Sequence, residues 1–256
     1  MKNFKLMLAA TMLAMSVTAS AQFANQGGRS NGSSGRQGSV LVKDCDNYNR
    51  ISLSYAPLNM THHYGSKSYD SSTLQGFKLG WTGGYSVSQK LPFFIETGLD
   101  LSFNTKSINA EDDFGDDYDD YYDDDDIKTR HMTMALTVPV NVTYKLAFKN
   151  GFYLSPYFGL HFKVNMLGKT KLNYDGDDDY YYDDDDDDSI DWFSEKDMGK
   201  NGTYNRFQMG WRIGSNIGYK NVNLNVGYAA DFIPLYKYKK SKIATGGVVV
   251  GVGVNF

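Results

Sequence analysis

Apolar and polar residues alternate along most of the chain from Arg50 onward. A period of two places one set of side chains on each face of a β-strand, so each alternating stretch is predicted to be a strand. The fourth stretch is the cleanest, with eight apolar positions from Met132 to Leu146. The apolar faces of the eight predicted strands lie within residues 51–55, 77–85, 93–103, 132–146, 152–164, 207–219, 222–228 and 248–256.

The links between these strands alternate in length. Those after the second, fourth and sixth strands are tight, at residues 88–92, 148–151 and 220–221, whereas the other links are longer and polar. Membrane barrels combine short periplasmic turns with long extracellular loops, and a soluble sandwich has no reason to sort its loops in this way. We therefore predict an all-β fold, namely an eight-stranded antiparallel up-and-down transmembrane β-barrel with long acidic extracellular loops. Eight strands are too few for a wide porin.

The beginning of the chain has the pattern of an export signal. Lys2 and Lys5 precede the apolar stretch 6–17, and small residues at 19–21 predict cleavage before Gln22. Twelve apolar residues are too few to span a hydrocarbon core about 30 Å thick. We predict a signal peptide at 1–21, a flexible periplasmic segment at 22–48 and an outer-membrane barrel at 49–256. The apolar run 40–42 leaves open whether an extra strand forms, and Cys45, the sole cysteine, excludes an intramolecular disulfide.

Four motifs on the predicted strands resemble those of a known family. They are LTVPVNVTY at 136–144, SPYFG at 155–159, the glycines 210, 214 and 218 before Tyr219, and GVGVNF at 251–256. In these motifs the chain resembles the outer-membrane β-barrel domain family that includes PorT-like proteins and small OmpX-like barrels. The resemblance implies an eight-stranded barrel in the cell outer membrane and transfers no functional residue. A PorT-like transport or secretion role is one alternative that it leaves open.

Two links carry most of the negative charge. Residues 111–126 contain eleven acids and residues 175–188 contain ten, together 21 of the 30 acidic residues in the chain. Such runs are either solvated and self-repelling, or sites for Ca²⁺, which takes six to eight oxygen ligands, or an adhesion surface for a cationic partner. Without the ligand spacing of an EF-hand, any Ca²⁺ site would be diffuse. The candidate ligands are Asp116, Asp117, Asp119, Asp120, Asp123, Asp124, Asp177, Asp178, Asp179, Asp183, Asp184 and Asp185.

A smaller basic cluster lies in the last predicted loop. Its lysines are available to pair with the acidic loops or with anionic lipopolysaccharide, and they are Lys237, Lys239, Lys240 and Lys242. We expect membrane lipid and lipopolysaccharide as the surroundings of the barrel, no nucleic-acid partner and a monomer.

Charged residues also occur on the inward faces of the predicted strands. Eight strands leave room for side chains only, so a mutually paired network is expected among Lys78, Glu96, Asp100, His161, Lys163 and Arg212. A membrane-embedded hydrolase would need a serine beside His161. Inward Ser155 is six residues away on the same strand, about 20 Å at 3.3 Å per residue. His62 and His63 are expected in the first external loop. We assign no catalytic residue and no cofactor apart from the candidate Ca²⁺, and we predict a non-enzymatic structural or surface-interaction protein.

Overall fold

A computed structural model describes residues 41–109, 126–175, 189–199 and 202–256. These residues form thirteen strands and one short helix. The first seven strands are β1 (Leu41–Val42), β2 (Tyr48–Tyr55), β3 (Leu58–Tyr64), β4 (Lys67–Ser86), β5 (Phe93–Asn109), β6 (Asp126–Tyr144) and β7 (Leu146–Phe148). They are followed by β8 (Phe152–Asp175), β9 (Ser189–Asp191), α1 (Glu195–Met198), β10 (Phe207–Tyr219), β11 (Val222–Asp231), β12 (Tyr236–Tyr238) and β13 (Ser241–Asn255).

The long strands close into one antiparallel barrel with eight strands around its wall. We call each of these a stave, because one of them consists of two consecutive strands, β2 and β3. The order of pairing is β8–β10–β11–β13–β2–β4–β5–β6, and β6 pairs with β8 to complete the circle. β3 continues β2 in the first stave and also pairs with β13 and β4. Consecutive staves are neighbours throughout, so the predicted eight-stranded up-and-down barrel is confirmed.

Burial in this barrel is the reverse of that in a water-soluble protein. Large apolar side chains cover the outside, where Leu79 is 55% and Val252 is 57% exposed. Polar side chains are buried in the lumen, including Glu96 at 0% and Asp100 at 4% exposed. A barrel wall that faces hydrocarbon requires this arrangement, because apolar atoms then meet lipid and polar groups pair with one another.

The first hairpin is longer than its sequence pattern predicted. β3 runs to Tyr64 and β4 begins at Lys67, with Gly65 at φ +63° in the turn between them. The placement of His62 and His63 in an external loop was therefore wrong, since both lie in β3 opposite residues of β13. Above the bilayer no lipid selects for apolar outward side chains, so the alternation fades although the backbone ladder continues.

β8 shows the same extension. Its apolar outer face ends near Met166, yet the strand continues to Asp175. β6 pairs with it over this whole upper part, with one register shift next to Ala135. The wall thus rises well beyond its apolar band on the side of the two acidic links.

Short strands are added at both ends of the barrel. The apolar run that precedes the barrel forms β1, which pairs with β7 at the end with the short turns. The Lys145 ammonium lies 2.6 Å from an Asp44 carboxylate oxygen and fastens the same segment. At the opposite end β9 pairs with β8 and β12 pairs with β13. The predicted signal peptide lies outside the described residues.

Candidate functional site

The twelve candidate Asp ligands all lie outside the described residues. The strands that lead into their two links are described, and their backbones are informative. Asp126, which ends the first acidic stretch, lies opposite Asp175, which begins the second, in the β6–β8 ladder. The two acidic links therefore leave the barrel from adjacent positions on the wall.

The lower part of the lumen holds one tight ion pair. An Arg50 guanidinium nitrogen lies 2.8 Å from Glu96 Oε1, and both side chains are buried. The Tyr48 hydroxyl donates to the same carboxylate, and Asn141 Nδ2 lies 3.4 Å from its other oxygen. Three staves are thus joined at one carboxylate, because β2 supplies Tyr48 and Arg50, β5 supplies Glu96 and β6 supplies Asn141.

The middle of the lumen is organised around Asp100. Its Oδ2 atom lies 3.2 Å from Lys78 Nζ and 3.3 Å from a nitrogen of Arg212. The Arg212 guanidinium also lies 5.4 Å from the centre of the Tyr157 ring. The cation–π contact places part of the Arg212 charge against an aromatic face rather than against a second carboxylate.

The upper part of the lumen is organised around Asp231. Its carboxylate lies 2.7 Å from His161 Nε2 and 2.5 Å from Lys163 Nζ, and it accepts a hydrogen bond from Thr245. The expected mutually paired network is therefore present, with all six predicted residues in it. Sequence reasoning missed its members Arg50 and Asp231, although alternation along β2 and β11 places both on the inward face.

An apolar cluster, called the cap below, lies at the extracellular end of the barrel. Met60, Leu74 and Ile243 point inward from the wall, and Trp192 and Leu235 reach over them from the links after β9 and β11. The Trp192 indole N–H donates to Thr170 Oγ1 over 2.8 Å, which satisfies its polar atom. Gln208 lies beneath the cap and donates from Nε2 to the Thr245 hydroxyl oxygen and the Ile233 carbonyl.

A histidine in the part of the wall above the apolar band supports this cap. His131 packs on Trp192 with ring centres 6.0 Å apart, and its Nδ1 lies 2.9 Å from Thr170 Oγ1. Burial lowers the pKa of His131 below its usual value, and the nearby Lys106 ammonium lowers it further. The neutral ring is therefore the form that fits the capped barrel.

The hydrolase alternative is not supported by the contacts of His161. Its Nε2 atom is paired with Asp231, and its Nδ1 atom has no hydrogen-bond partner among the described protein atoms. Ser155 is inward and buried, but it lies opposite Asn216, six positions along β8 from His161. The two side chains therefore do not form a nucleophile–base pair.

Metal-ligand clusters and membrane-spanning helices are both absent from the described ranges. In those ranges no three His, Cys, Asp or Glu side chains lie together in a way that would hold a metal ion. Among the same residues there is no helix with the length and apolar character needed to cross a membrane.

Known proteins provide an independent comparison. The sequence profile of a family described as "Outer membrane protein beta-barrel domain" matches residues 47–237. No curated protein matches the chain. Among solved structures it is similar to Ail, the attachment invasion locus protein of Yersinia pestis, solved with the heparin analogue sucrose octasulfate. That similarity has 12% identity, covers 81% of this chain and 99% of Ail, and has a TM-score of 0.39.

Two further solved structures have similar scores. Neisserial surface protein A is 14% identical, with 81% of this chain and 97% of that one covered and a TM-score of 0.34. OprG, an outer membrane protein of Pseudomonas aeruginosa, is 10% identical, with 82% and 95% covered and a TM-score of 0.38.

Proposed function

Because the chain belongs to the family of outer-membrane β-barrel domains, we propose that it is a surface-interaction protein whose barrel carries two acidic extracellular loops. The barrel lies in the cell outer membrane, and the loops are the part that meets ions or a partner outside the cell.

The observation that carries this proposal is the ion-pair network across the lumen. Three buried carboxylates and their cationic partners occupy it from the level of Arg50 to that of Asp231, and the apolar cap lies at its outer end. Eight staves enclose a space just wide enough for side chains. A wide aqueous pore is thus a poor explanation of this barrel, and the function is better sought in the extracellular loops that the barrel carries.

The placement of the acidic loops supports a shared ion-binding surface. Their ends are adjacent in the β6–β8 ladder at Asp126 and Asp175, so both loops start from one side of the mouth. Clustered carboxylates supply the oxygen ligands that Ca²⁺ prefers. The site that we propose is made of Asp116, Asp117, Asp119, Asp120, Asp123 and Asp124 of the first loop with Asp177, Asp178, Asp179, Asp183, Asp184 and Asp185 of the second.

The exposed lysines of the β12–β13 hairpin complete the proposed surface. Lys237, Lys239, Lys240 and Lys242 are all exposed at the same end of the barrel. We propose that they face the anionic groups of lipopolysaccharide, and that the acidic loops engage Ca²⁺ or a cationic partner above them. The protein would act as a monomer.

A calorimetric titration of the detergent-solubilised barrel with Ca²⁺ tests the proposal. We expect saturable heat that persists in high salt and is absent from a variant with the twelve Asp residues changed to Asn. A matched variant with the four hairpin lysines changed to Gln should keep the Ca²⁺ heat. Heat that salt abolishes, or that Mg²⁺ reproduces in full, would contradict a Ca²⁺ site. It would indicate only a nonspecific attraction of cations to the negative charge of the loops.

A further inference from the structure

The link that follows β9 is held against the wall by Trp192. The Trp192 amide donates to the Gly168 carbonyl over 2.9 Å, and the indole N–H donates to Thr170 Oγ1 over 2.8 Å. A Cβ added at Gly168 would lie 2.8 Å from the rings of both Trp192 and Phe193. The two rings therefore lie directly on the backbone of β8 at a position without a side chain. We call the contact of Trp192 with Gly168 and Thr170 the latch.

The latch holds the residues that follow the second acidic link. β9 comes directly after that link and pairs with β8 over three residues only. Trp192 is 5% exposed, and its carbonyl accepts a hydrogen bond from the Tyr204 amide over 2.8 Å. A segment with few buried contacts opens at a low cost in free energy. Release of Trp192 would therefore leave this end of the link weakly held.

Thr170 connects the latch to His131. The two residues are directly opposite each other in the β6–β8 ladder, and Thr170 Oγ1 lies 2.9 Å from His131 Nδ1. An indole nitrogen can only donate, so the Thr170 oxygen accepts from Trp192 and its hydroxyl hydrogen is available for His131. A neutral imidazole accepts this hydrogen at Nδ1. The three side chains then form one chain of hydrogen bonds from Trp192 through Thr170 to His131.

Protonation of His131 conflicts with this chain. An imidazolium donates from both nitrogens, so Nδ1 would offer a hydrogen to Thr170 instead of accepting one. The Thr170 hydroxyl hydrogen would lose its acceptor, and the oxygen would face donors from both rings. Because a polar group left without its partner is unfavourable, the protonated ring favours the open latch.

The charged groups nearest His131 oppose its protonation. Lys106 lies directly opposite His131 on β5, and its ammonium lies 3.1 Å from Ser72 Oγ. Burial lowers the pKa of His131, and the Lys106 ammonium lowers it further. Alternation places the other charged side chains of the neighbouring ladder positions on the opposite face of the sheet, and they are Arg130, Lys169, Lys171 and Asp191.

The two acidic links act in the other direction. Their 21 carboxylates favour the imidazolium, and the links begin at Asp126 and Asp175, five residues along the strands from His131 and Thr170. Five residues correspond to about 16 Å, or two screening lengths at physiological ionic strength. The negative charge would thus change the pH at which His131 is protonated, but it leaves the hydrogen-bond conflict at Thr170 in place.

We propose that the latch is an acid-sensitive switch, in which protonation of His131 releases Trp192 from β8 and frees the residues that follow the second acidic link. The closed latch requires a neutral His131, so it is complete above the ordinary histidine pKa of about 6.5 and opens as the pH falls below that value. Acidification would then change the surface that the acidic loops present, and only this consequence rests on the proposed function.

Acrylamide quenching of Trp192 fluorescence in lipid nanodiscs tests the switch. The double substitution Trp81→Phe and Trp211→Phe replaces two lipid-facing residues and leaves Trp192 as the sole tryptophan of the three in the chain. Acrylamide is neutral, so the charge of the loops does not attract or repel it. We expect the quenching constant to rise severalfold between about pH 7.5 and about pH 5, on either side of the histidine range. Circular dichroism at each pH should show an unchanged content of β-strand.

Three further variants, made in the same single-tryptophan background, assign the transition to His131. His131→Asn places an amide oxygen near the position of Nδ1 and carries no charge, so Trp192 should stay protected at every pH. Lys106→Gln removes the nearest ammonium and should move the midpoint to higher pH. The variant with the twelve candidate Asp residues changed to Asn removes negative charge and should move the midpoint to lower pH.

The switch is refuted if Trp192 stays equally protected over the whole pH range, or if His131→Asn keeps the transition. A transition that is lost entirely in the Asp-to-Asn variant belongs to the loop carboxylates, and one that coincides with loss of β-strand signal belongs to unfolding of the barrel. A midpoint that Lys106→Gln leaves unchanged also contradicts the assignment to His131. No Ca²⁺ is present in these measurements, so their outcome is independent of the proposed Ca²⁺ site.

Discussion

Replacing Glu96 with Gln should be among the most destabilising single changes in the barrel. The Glu96 side chain is 0% exposed, and its partner Arg50 is 8% exposed at an N–O distance of 2.8 Å. Gln keeps the shape and an oxygen that accepts the Tyr48 hydroxyl, so the main loss is the countercharge of Arg50. Breaking a buried pair by removing one partner costs about 3–5 kcal/mol, and we expect a loss of that order.

The reasoning is tested by a double-mutant cycle with Arg50→Met. Removing the second charge as well should recover part of the loss, with a coupling of about 1–3 kcal/mol between the two positions. Urea unfolding of the refolded barrel in detergent micelles, followed by tryptophan emission, measures all four free energies. Arg50→Lys, which keeps the charge and loses the forked geometry, should cost less than Arg50→Met. Additivity within about 0.5 kcal/mol would refute the claim that the two charges stabilise each other.

Three further predictions concern other parts of the molecule. Gly98→Ala should destabilise the barrel by about 1–3 kcal/mol in the same urea assay, and by more than Gly253→Ala does. The new Cβ at residue 98 would lie 1.9 Å from a backbone carbonyl oxygen of the neighbouring strand β4, whereas the new Cβ at residue 253 would lie 2.9 Å from a side-chain oxygen. Trp192→Ala should loosen the cap and speed trypsin cleavage after Lys196 while gel mobility still reports a folded barrel; unchanged cleavage would contradict a role for the cap in holding this link. Because the pKa of His131 is lowered in the folded state, its contribution is complete above the unfolded pKa of about 6.5 and is lost as the pH falls below it. The wild type should therefore lose stability relative to His131→Gln on acidification, and parallel pH profiles of the two proteins would count against this.

The eight-stave barrel was predictable because lipid acts on every second residue of each spanning strand. The same reasoning failed for the first hairpin, where β3 and β4 continue above the bilayer and no apolar selection marks them.

The lumen residues were predictable one by one, whereas their partners were not. Alternation places Asp100 and Arg212 inward, but which cation meets which carboxylate depends on the register of staves that are far apart in sequence. The cap could not be foreseen, because Trp192 and Leu235 lie in links without a periodic pattern. The twelve candidate Asp ligands remain a prediction.

The height of the wall at β6 and β8 has an electrostatic consequence. From Met166 to Asp175 the strand adds nine residues, which raises the start of the second acidic loop about 20 Å above the apolar band at the tilt usual for small barrels. The Debye length at physiological ionic strength is about 8 Å, so Asp175, where the second acidic link begins, lies more than two screening lengths from the anionic head groups. Between them the extended strands carry Lys106, Arg130, Lys169 and Lys171. In the function that we propose, this distance and these basic side chains would reduce the electrostatic repulsion between the two acidic loops and a negatively charged membrane surface.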